Sequence, residues 1–408
     1  MKPRRVVVSG IGVVSALGNE CETFWSALAA GRSGIGPLTM ADPSEFHFKN
    51  AAEAKDFDPV GLLGSKVVRQ TDRFTQFALA AATKAVTDSG IDHVMLQSHR
   101  AGVIAGTIVG GQDTQDESFS ALYREGRSRV HPATIVKIMP NAAVSQVSIL
   151  LGITGPSYTV SAACSSSNFA IGQAFWLVRN GVLDIALTGG TDAPFSFGNL
   201  KAWDSMRVVS PDVCRPFSIN RDGMVLGEGG GILVLETAES AMRRGAHIYC
   251  EIVGFGMSSD ASHIVHPSVE GSARAMRAAL EDAGLRPNCV DYINAHGTGT
   301  VVNDATESAA IHSVFGEHAR KLAVSSTKSM HGHTLGAAGA LEAIATVLTI
   351  DRGLIPPTVN YQGRDEACDL DVVPNKARCS VVKVALSNSF AFGGQNGVLA
   401  FREWGKPH

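Results

Sequence analysis

The strongest constraint on what this chain can fold into is an alternation that runs from one end to the other. Short apolar runs rich in β-formers ("RRVVVSG", "AGVIAGT", "SYTVSAA", "DIALTGG", "GILVLET", "YCEIVGFG", "VDYINAHG", "LAVSSTK", "VKVALSN") are separated by longer runs with helical spacing. Among the latter are "DRFTQFALAAATKAVTDSG", "AAVSQVSILLG", "SARAMRAALEDAG", "ATESAAIHSVFG" and "GALEAIATVLTIDRG". Several close on glycine, the usual residue just past a helix C-terminus. The pattern is α/β, with strands covered by helices on both faces.

The order of these runs repeats. "VVVSGIGVVSAL" near residue 6 resembles "CEIVGFGMSSDA" near residue 250, and "CSSSNFAIGQAFWLVRNG" resembles "GHTLGAAGALEAIATVLTIDRG". "DIALTGGTDAP" likewise resembles "KVALSNSFAFGG". The matches fall in the same order, which predicts two related halves, 1–250 and 251–408. Such a pseudo-twofold would bring the turn at Cys164 close to the turn around Gly332.

Composition excludes several function classes. A formal net charge of −3 over 408 residues gives no basic signature for nucleic acid or a membrane surface. No run reaches the roughly 18 uninterrupted apolar residues of a membrane span. The start "MKPRRVVVSGIGVVSALG" imitates a signal peptide, but Gly10 and Gly12 break its apolar run, and it reads as a buried strand with a turn. The seven cysteines are odd in number, scattered and without a CxxC pair, against a disulfide framework or a zinc ribbon. A reducing compartment follows, and the expected location is the cytoplasm. No GxGxxG follows the first strand, and no GxxxxGK[ST], HExxH or GxSxG occurs.

Four stretches remain that bear on chemistry. In "SAACSSSNFAIG", Cys164 stands at a strand-to-helix turn. The positive end of the helix would lower its pKa and make a reactive thiolate, unless it is a small buried residue. In "NAHGTGT", His296 is followed by Thr298 and Thr300 on a glycine-rich backbone, which is either a site or a loop with a packed histidine. In "SSTKSMHGHTLGAAGALEAI", Lys328, His331 and His333 crowd a loop before a helix of small residues. Glu342 in that helix needs a cationic partner if it is buried. "SNSFAFGGQNG" places Phe392 between alanine and glycines, as a bulky gate or as a turn after the last strand. His296, His331 and His333 lack a carboxylate or cysteine at a ligand spacing, so no metal is expected. One cysteine with two histidines differs from a cysteine protease, which uses one histidine and an Asn or Asp. Two neutral imidazoles can instead donate to one developing oxyanion, which is what thioester enolate chemistry needs.

Taken in order, "AACSSS", "RPFSINRDGMVLGEGGG", "GFGMSSDASH", "NAHGTGTVVNDATE", "SSTKSMHGHTLGAAGALE" and "SNSFAFGGQNG" resemble the β-ketoacyl-acyl-carrier-protein synthases of the elongating type, over essentially the whole chain. The resemblance implies a thiolase fold: two pseudo-twofold-related halves in a five-layer αβαβα arrangement. It implies decarboxylative Claisen condensation of an acyl-enzyme with malonyl-acyl-carrier protein, in fatty-acid or specialised acyl-chain synthesis. Cys164 would carry the acyl group, and His296 and His333 would hold the malonyl thioester carbonyl. Lys328 would orient the histidines with Glu342 as its partner and Asp304 nearby. The backbone N–H groups of Cys164 and Phe392 would form the oxyanion hole. Thr298 and Thr300 would bind the pantetheine arm, Phe392 would gate the acyl pocket, and Ile108 would lie along it.

The implied partners are an acidic acyl carrier protein and a second copy of the chain, with no cofactor beyond the carrier's phosphopantetheine. Lys66, Arg69, Arg127, Arg129 and Arg207 occupy the regions expected to meet the carrier. Three positions depart from the pattern. Ala391 replaces the usual glycine before Phe392, Ser167 stands where many such synthases have glycine, and His331 where threonine is usual. The loop "DSMRVVSPDVC" differs as well. Two rivals weigh less. A non-decarboxylating thiolase would need a second cysteine in the "SNSFAFGG" loop, and a non-catalytic chain-length-factor partner would typically lack the nucleophile.

Overall fold

The computed structural model describes residues 3–405. Ten strands carry the architecture: β1 (Val6–Ser15), β2 (Ala101–Gly106), β3 (Ser157–Val160), β4 (Ile185–Asp192), β5 (Gly229–Thr237), β6 (Cys250–Ser259), β7 (Tyr292–Asn294), β8 (Ala323–Ser325), β9 (Val384–Phe390) and β10 (Gln395–Arg402). They lie in the order β3-β2-β4-β5-β1-β6-β10-β9-β7-β8. Read outward from the centre, each side runs through the first, fifth, fourth, second and third of its own five strands. The directions repeat too. β2 is parallel to β3 and β4, as β7 is to β8 and β9, while the first and last strands of each set pair antiparallel. Among the described residues the two sets pair only where Val6–Val8 of β1 meets Cys250–Ile252 of β6.

The principal helices are α1 (Arg73–Ser89), α2 (Gln112–Tyr123), α3 (Ala142–Leu151), α4 (Ser166–Arg179), α5 (Phe197–Met206), α6 (Val269–Ala283), α7 (Val301–Phe315) and α8 (Ala338–Arg352). α4 and α8 pack between the two five-stranded sets, with α1 and α3 outside the first and α6 and α7 outside the second. This is the five-layer thiolase arrangement. In the middle layer α8 is buried continuously from Ala338 to Ile350, so it contains almost nothing but small and aliphatic residues. α4 and α8 approach closely because Gly339 has no side chain; a Cβ there would lie 2.1 Å from Asn168 Oδ1. Asn168 in turn donates to the carbonyls of Ser387 and Gly397, 3.0 Å each, tying α4 to β9 and β10.

One local expectation is corrected. Gly10 and Gly12 make no turn. β1 runs through both, with a bulge between Val8 and Gly10. Their role is to admit a helix: a Cβ at Gly12 would sit 2.0 Å from the Ala81 carbonyl of α1, and one at Gly256 of β6 would sit 2.1 Å from the Ala275 carbonyl of α6. The paired GxG stretches therefore mark the same helix-on-sheet contact twice. α1 begins where the Asp72 carboxylate accepts from the Phe74 N–H and stops at Gly90 in the left-handed conformation. Among the described residues no helix is long and apolar enough to cross a membrane.

Because strand directions repeat, the ends of β2, β3 and β4 and of β7, β8 and β9 converge. The first set delivers Thr107, Cys164 and Asp192; the second delivers His296, Lys328 with His333, and Phe392. Cys164 and His333 follow the third strand of their respective sets, in equivalent turns.

Candidate active site

A cavity of about 290 Å³ opens where these strand ends meet. Its wall brings together Cys164, His296, His333, Phe392, Thr298, Thr300 and Arg207. Cys164 sits at the mouth of α4 after Ala163, a non-glycine residue at φ +45. Such a conformation is strained and persists only where the surroundings over-determine it. Here Ser166 Oγ accepts from the Ala162 N–H (2.9 Å) and donates to the Ala163 carbonyl (2.6 Å), and Ser389 Oγ donates to the Cys164 carbonyl (2.9 Å).

The Cys164 thiol does not behave as the helix terminus alone predicts. It is 5% exposed, and burial pushes it up to about 12, against the opposing pull of the Lys328 ammonium and the backbone N–H groups of Cys164 and Phe392. Desolvation of the thiolate outweighs the favourable dipole. The resting group is a thiol, already faced by the two N–H donors assigned to the oxyanion hole.

The tautomers of the histidines follow from their partners. Lys328 Nζ lies 3.4 Å from His296 Nδ1, and an ammonium can only donate, so His296 carries its proton on Nε2. The Leu335 N–H donates to His333 Nδ1 (3.2 Å), with the same consequence. The rings stand at 86° with centroids 5.5 Å apart. Burial holds both imidazoles well below the ordinary histidine range, and Lys328 adds to the effect on each. Two neutral rings thus keep their Nε2–H groups for whatever enters the cavity.

Behind this pair, Lys328 and Glu342 form a fully buried ion pair, so the lysine orients His296 directly. Burial pushes Glu342 up to about 7 against the pull of Lys328. Asp304 does not touch the histidines. It accepts from the backbone N–H groups of Phe217 (2.8 Å) and Gly299 (3.2 Å) and so shapes the loop that carries Thr298, whose hydroxyl lies 2.9 Å from that of Thr300. His331 faces away, with one ring nitrogen on the Gly332 carbonyl (2.8 Å) and the other on Thr327 Oγ1 (2.9 Å). It holds the loop, and burial lowers it to about 3.

Ile108 lines a separate small cavity with Trp203 and Leu335. The Trp203 ring stacks on Phe392 (centroids 6.3 Å, 27°), and that stack separates the two spaces. In the Phe392 loop, Gly393 and Gly394 take the positive φ values; Ala391 is not among the left-handed residues, so its Cβ adds no backbone strain here. Ser167 Oγ donates to the Gly336 carbonyl, a bond a glycine would lack. Arg207 is exposed at the cavity mouth, and Lys66, Arg69, Arg127 and Arg129 are exposed on the surface, with Arg127 paired to Glu125.

Two buried carboxylates were missed in the sequence. Glu307 accepts from the N–H groups of His296 (2.9 Å) and Gly297 (2.8 Å) and from Asn388 Nδ2 (3.1 Å). Asp192 accepts from Thr107 Oγ1 (2.6 Å), the Gly336 N–H (2.6 Å) and the Ile108 N–H (3.1 Å). Burial raises each to about 7. They fix the backbone beneath the site and do not line the cysteine chamber; Asp192 stands alone among small residues in "TGGTDAP", whereas Glu307 sits three residues after Asp304 in a polar run that carried no signal.

Residues 3–241 match the family described as Beta-ketoacyl synthase, N-terminal domain, and residues 249–362 match Beta-ketoacyl synthase, C-terminal domain. A nodulation protein E from Rhizobium sp. (strain N33) is 48% identical over 400 residues, covering 98% of this chain and 99% of that one. A 3-oxoacyl-[acyl-carrier-protein] synthase 2 from Synechocystis sp. is 43% identical, covering 99% of each. A solved structure of a type II PKS acyl-carrier protein in complex with its ketosynthase bound to the hexaketide has a chain that superposes with a TM-score of 0.91. That chain is 32% identical, with 98% of this chain and 100% of that one covered.

Proposed function

The chain belongs to the β-ketoacyl synthase family and is a condensing enzyme of the 3-oxoacyl-acyl-carrier-protein synthase type, and from that premise we propose how its residues divide the reaction. The Cys164 thiol attacks an acyl thioester on a carrier. The acyl group moves to sulfur, and the thiol proton leaves on the departing carrier thiol. The N–H groups of Cys164 and Phe392 hold the carbonyl oxygen during this exchange and again during condensation. Malonyl-carrier then enters with its thioester carbonyl oxygen between the Nε2–H groups of His296 and His333. Loss of carbon dioxide leaves an enolate that these donors stabilise, and its carbon attacks the acyl group on Cys164. The 3-oxoacyl product departs on the carrier, and the released Cys164 thiolate takes the one proton the reaction consumes from solvent. The observation that carries this reading is a pair of neutral imidazoles, each engaged at Nδ1 and so protonated at Nε2, in one cavity with the thiol.

Thr298 and Thr300 bind the pantetheine arm, and an acidic carrier docks at Arg207 with help from Lys66, Arg69, Arg127 and Arg129. No metal or organic cofactor beyond that arm is required. The repeated strand order supports 1–250 and 251–408 as the two halves. Seven unpaired thiols suit a reducing, cytoplasmic setting. The nodulation-protein likeness favours a specialised acyl-chain pathway over primary fatty-acid synthesis. Purified chain given acyl- and malonyl-carrier proteins should release carbon dioxide and form 3-oxoacyl-carrier. Absence of product with every acyl donor, including those of specialised pathways, would return the chain to the partner-subunit reading.

The assembly is a homodimer. β3 is an edge strand with one neighbour, and beside it Ile149 is 73% exposed, Ile135 63% and Val136 53%. An open strand edge flanked by apolar side chains invites a second copy. Light scattering should give about twice the 42.8 kDa chain mass, and Ile149→Asp should shift the population toward monomer. A wild-type protein that stays monomeric at micromolar concentration would overturn the dimer.

A further inference from the structure

The small cavity beyond the Phe392–Trp203 stack holds a polar group that the reaction above does not use. Its volume is about 50 Å³, and its wall is mostly apolar: Ile108, Ala193, Pro194, Trp203 and Leu335. Gln112, the first residue of α2, also lines it. The Gln112 Oε1 atom is buried and has no hydrogen-bond partner. Two other polar groups there are engaged. Asp192 accepts from Thr107, Ile108 and Gly336, and Asn199 Nδ2 donates to the Pro194 carbonyl (2.7 Å). A buried amide oxygen without a partner is costly, and the cost disappears when a ligand donor reaches it.

The cavity adjoins the reacting centre. Trp203 is shared with the stack on Phe392, which lines the cysteine chamber, and the Leu335 N–H holds His333. An acyl chain on Cys164 that passes the stack enters between Ile108, Trp203 and Leu335 and meets Gln112. We propose that Gln112 is a specificity-determining residue that selects acyl chains carrying a hydroxyl or amide N–H in the segment lying beyond the stack. A plain hydrocarbon would displace any water from the cavity and leave the carboxamide unpaired. A site built to pair with a polar group discriminates against the analogue lacking it far more strongly than an apolar site discriminates by size.

The proposal rests on the condensing-enzyme reading, and the test separates the two. Wild-type protein and Gln112→Leu are loaded from carrier-bound acyl groups of one length, either saturated or hydroxylated at successive positions, and the rate of mass gain on Cys164 is followed. The wild type should load at least one hydroxylated isomer about 10-fold or more faster than the parent chain. Gln112→Leu should abolish or reverse that preference. Equal loading of the parent and every isomer by the wild type would overturn the proposal, as would a preference that Gln112→Leu leaves unmoved. Should the leucine variant fail to fold, the wild-type series still decides. Acetyl loading by the wild type, which ends short of the stack, reports on the reaction alone; its failure would count against the condensation reading.

Discussion

Cys164→Ala gains no mass when incubated with any acyl-carrier donor, and its condensation rate falls by about 10⁴-fold or more. The size of the effect follows from the absence of a substitute. Cys214 lies close to the site, but its Sγ donates to the Thr298 carbonyl behind the cavity wall, and burial pushes it up to about 12. It does not line the chamber. Intact-mass spectrometry of wild type and variant, followed by peptide mapping, checks the prediction. An adduct that persists in the variant would move the nucleophile elsewhere and undo the proposed roles of His296 and His333. The thiol's elevated pKa adds a second readout. Because burial holds the resting group protonated, free Cys164 should react slowly with iodoacetamide at neutral pH, and bound acyl donors should acylate it far faster than its solution reactivity implies.

Lys328→Met is the second large effect, and it touches stability and turnover through separate routes. Removing the ammonium strands the Glu342 carboxylate, which is fully buried and whose Oε2 already lacks a partner. Breaking a buried pair this way costs about 3–5 kcal/mol. The sign with pH follows from Glu342. Its folded pKa is raised to about 7 with lysine present, and losing the lysine raises it further. Below about 7 the carboxyl is protonated in both folded proteins, so the variant's extra penalty opens only as pH rises above that value and nearly vanishes below it. Urea titrations at pH 4 and pH 8 should show this difference. The double variant Lys328→Met/Glu342→Leu should regain most of the stability, since a hydrophobic replacement of both partners removes the stranded charge. It should not regain turnover. His296 would lose the donor that fixes its proton on Nε2, and removing an oxyanion donor typically costs about 10²–10³-fold. A double variant with wild-type turnover would show that Lys328 serves stability alone.

Much of the fold was legible because its constraints are local and occur twice. The strand runs, the glycine-closed helices and the paired GxG stretches all lie in the sequence, and together they imply helices on both faces of duplicated sheets. What the GxG stretches do was less legible. A glycine pair in an apolar run reads as a turn, and only the approach of the Ala81 and Ala275 carbonyls shows that the missing side chains matter. In the site, Cys164, His296, His333 and Phe392 stood out because reactive groups on glycine- and serine-rich turns are chemically conspicuous. The state of the thiol was not legible: a helix terminus and a dry chamber pull its pKa in opposite directions, and depth of burial is set by residues far away in sequence. Glu307 and Asp192 were passed over because most of their partners are backbone N–H groups, which have no sequence signature. Ile108 was placed by analogy along the pocket that Phe392 would gate; it lines the small cavity beside the Trp203–Phe392 stack.

The equivalent placement of Cys164 and His333 means that the catalyst has no single owner. One copy of the strand pattern presents the sulfur that carries the acyl group, and the other presents the imidazoles that hold the enolate attacking it. Neither performs a half-reaction of use alone; the chemistry belongs to their seam. Alterations far from any substrate that shift α4 against α8, such as bulk added at Gly339 where it meets Asn168, should therefore be felt as a mistimed or misaimed reaction before they are felt as a loss of shape.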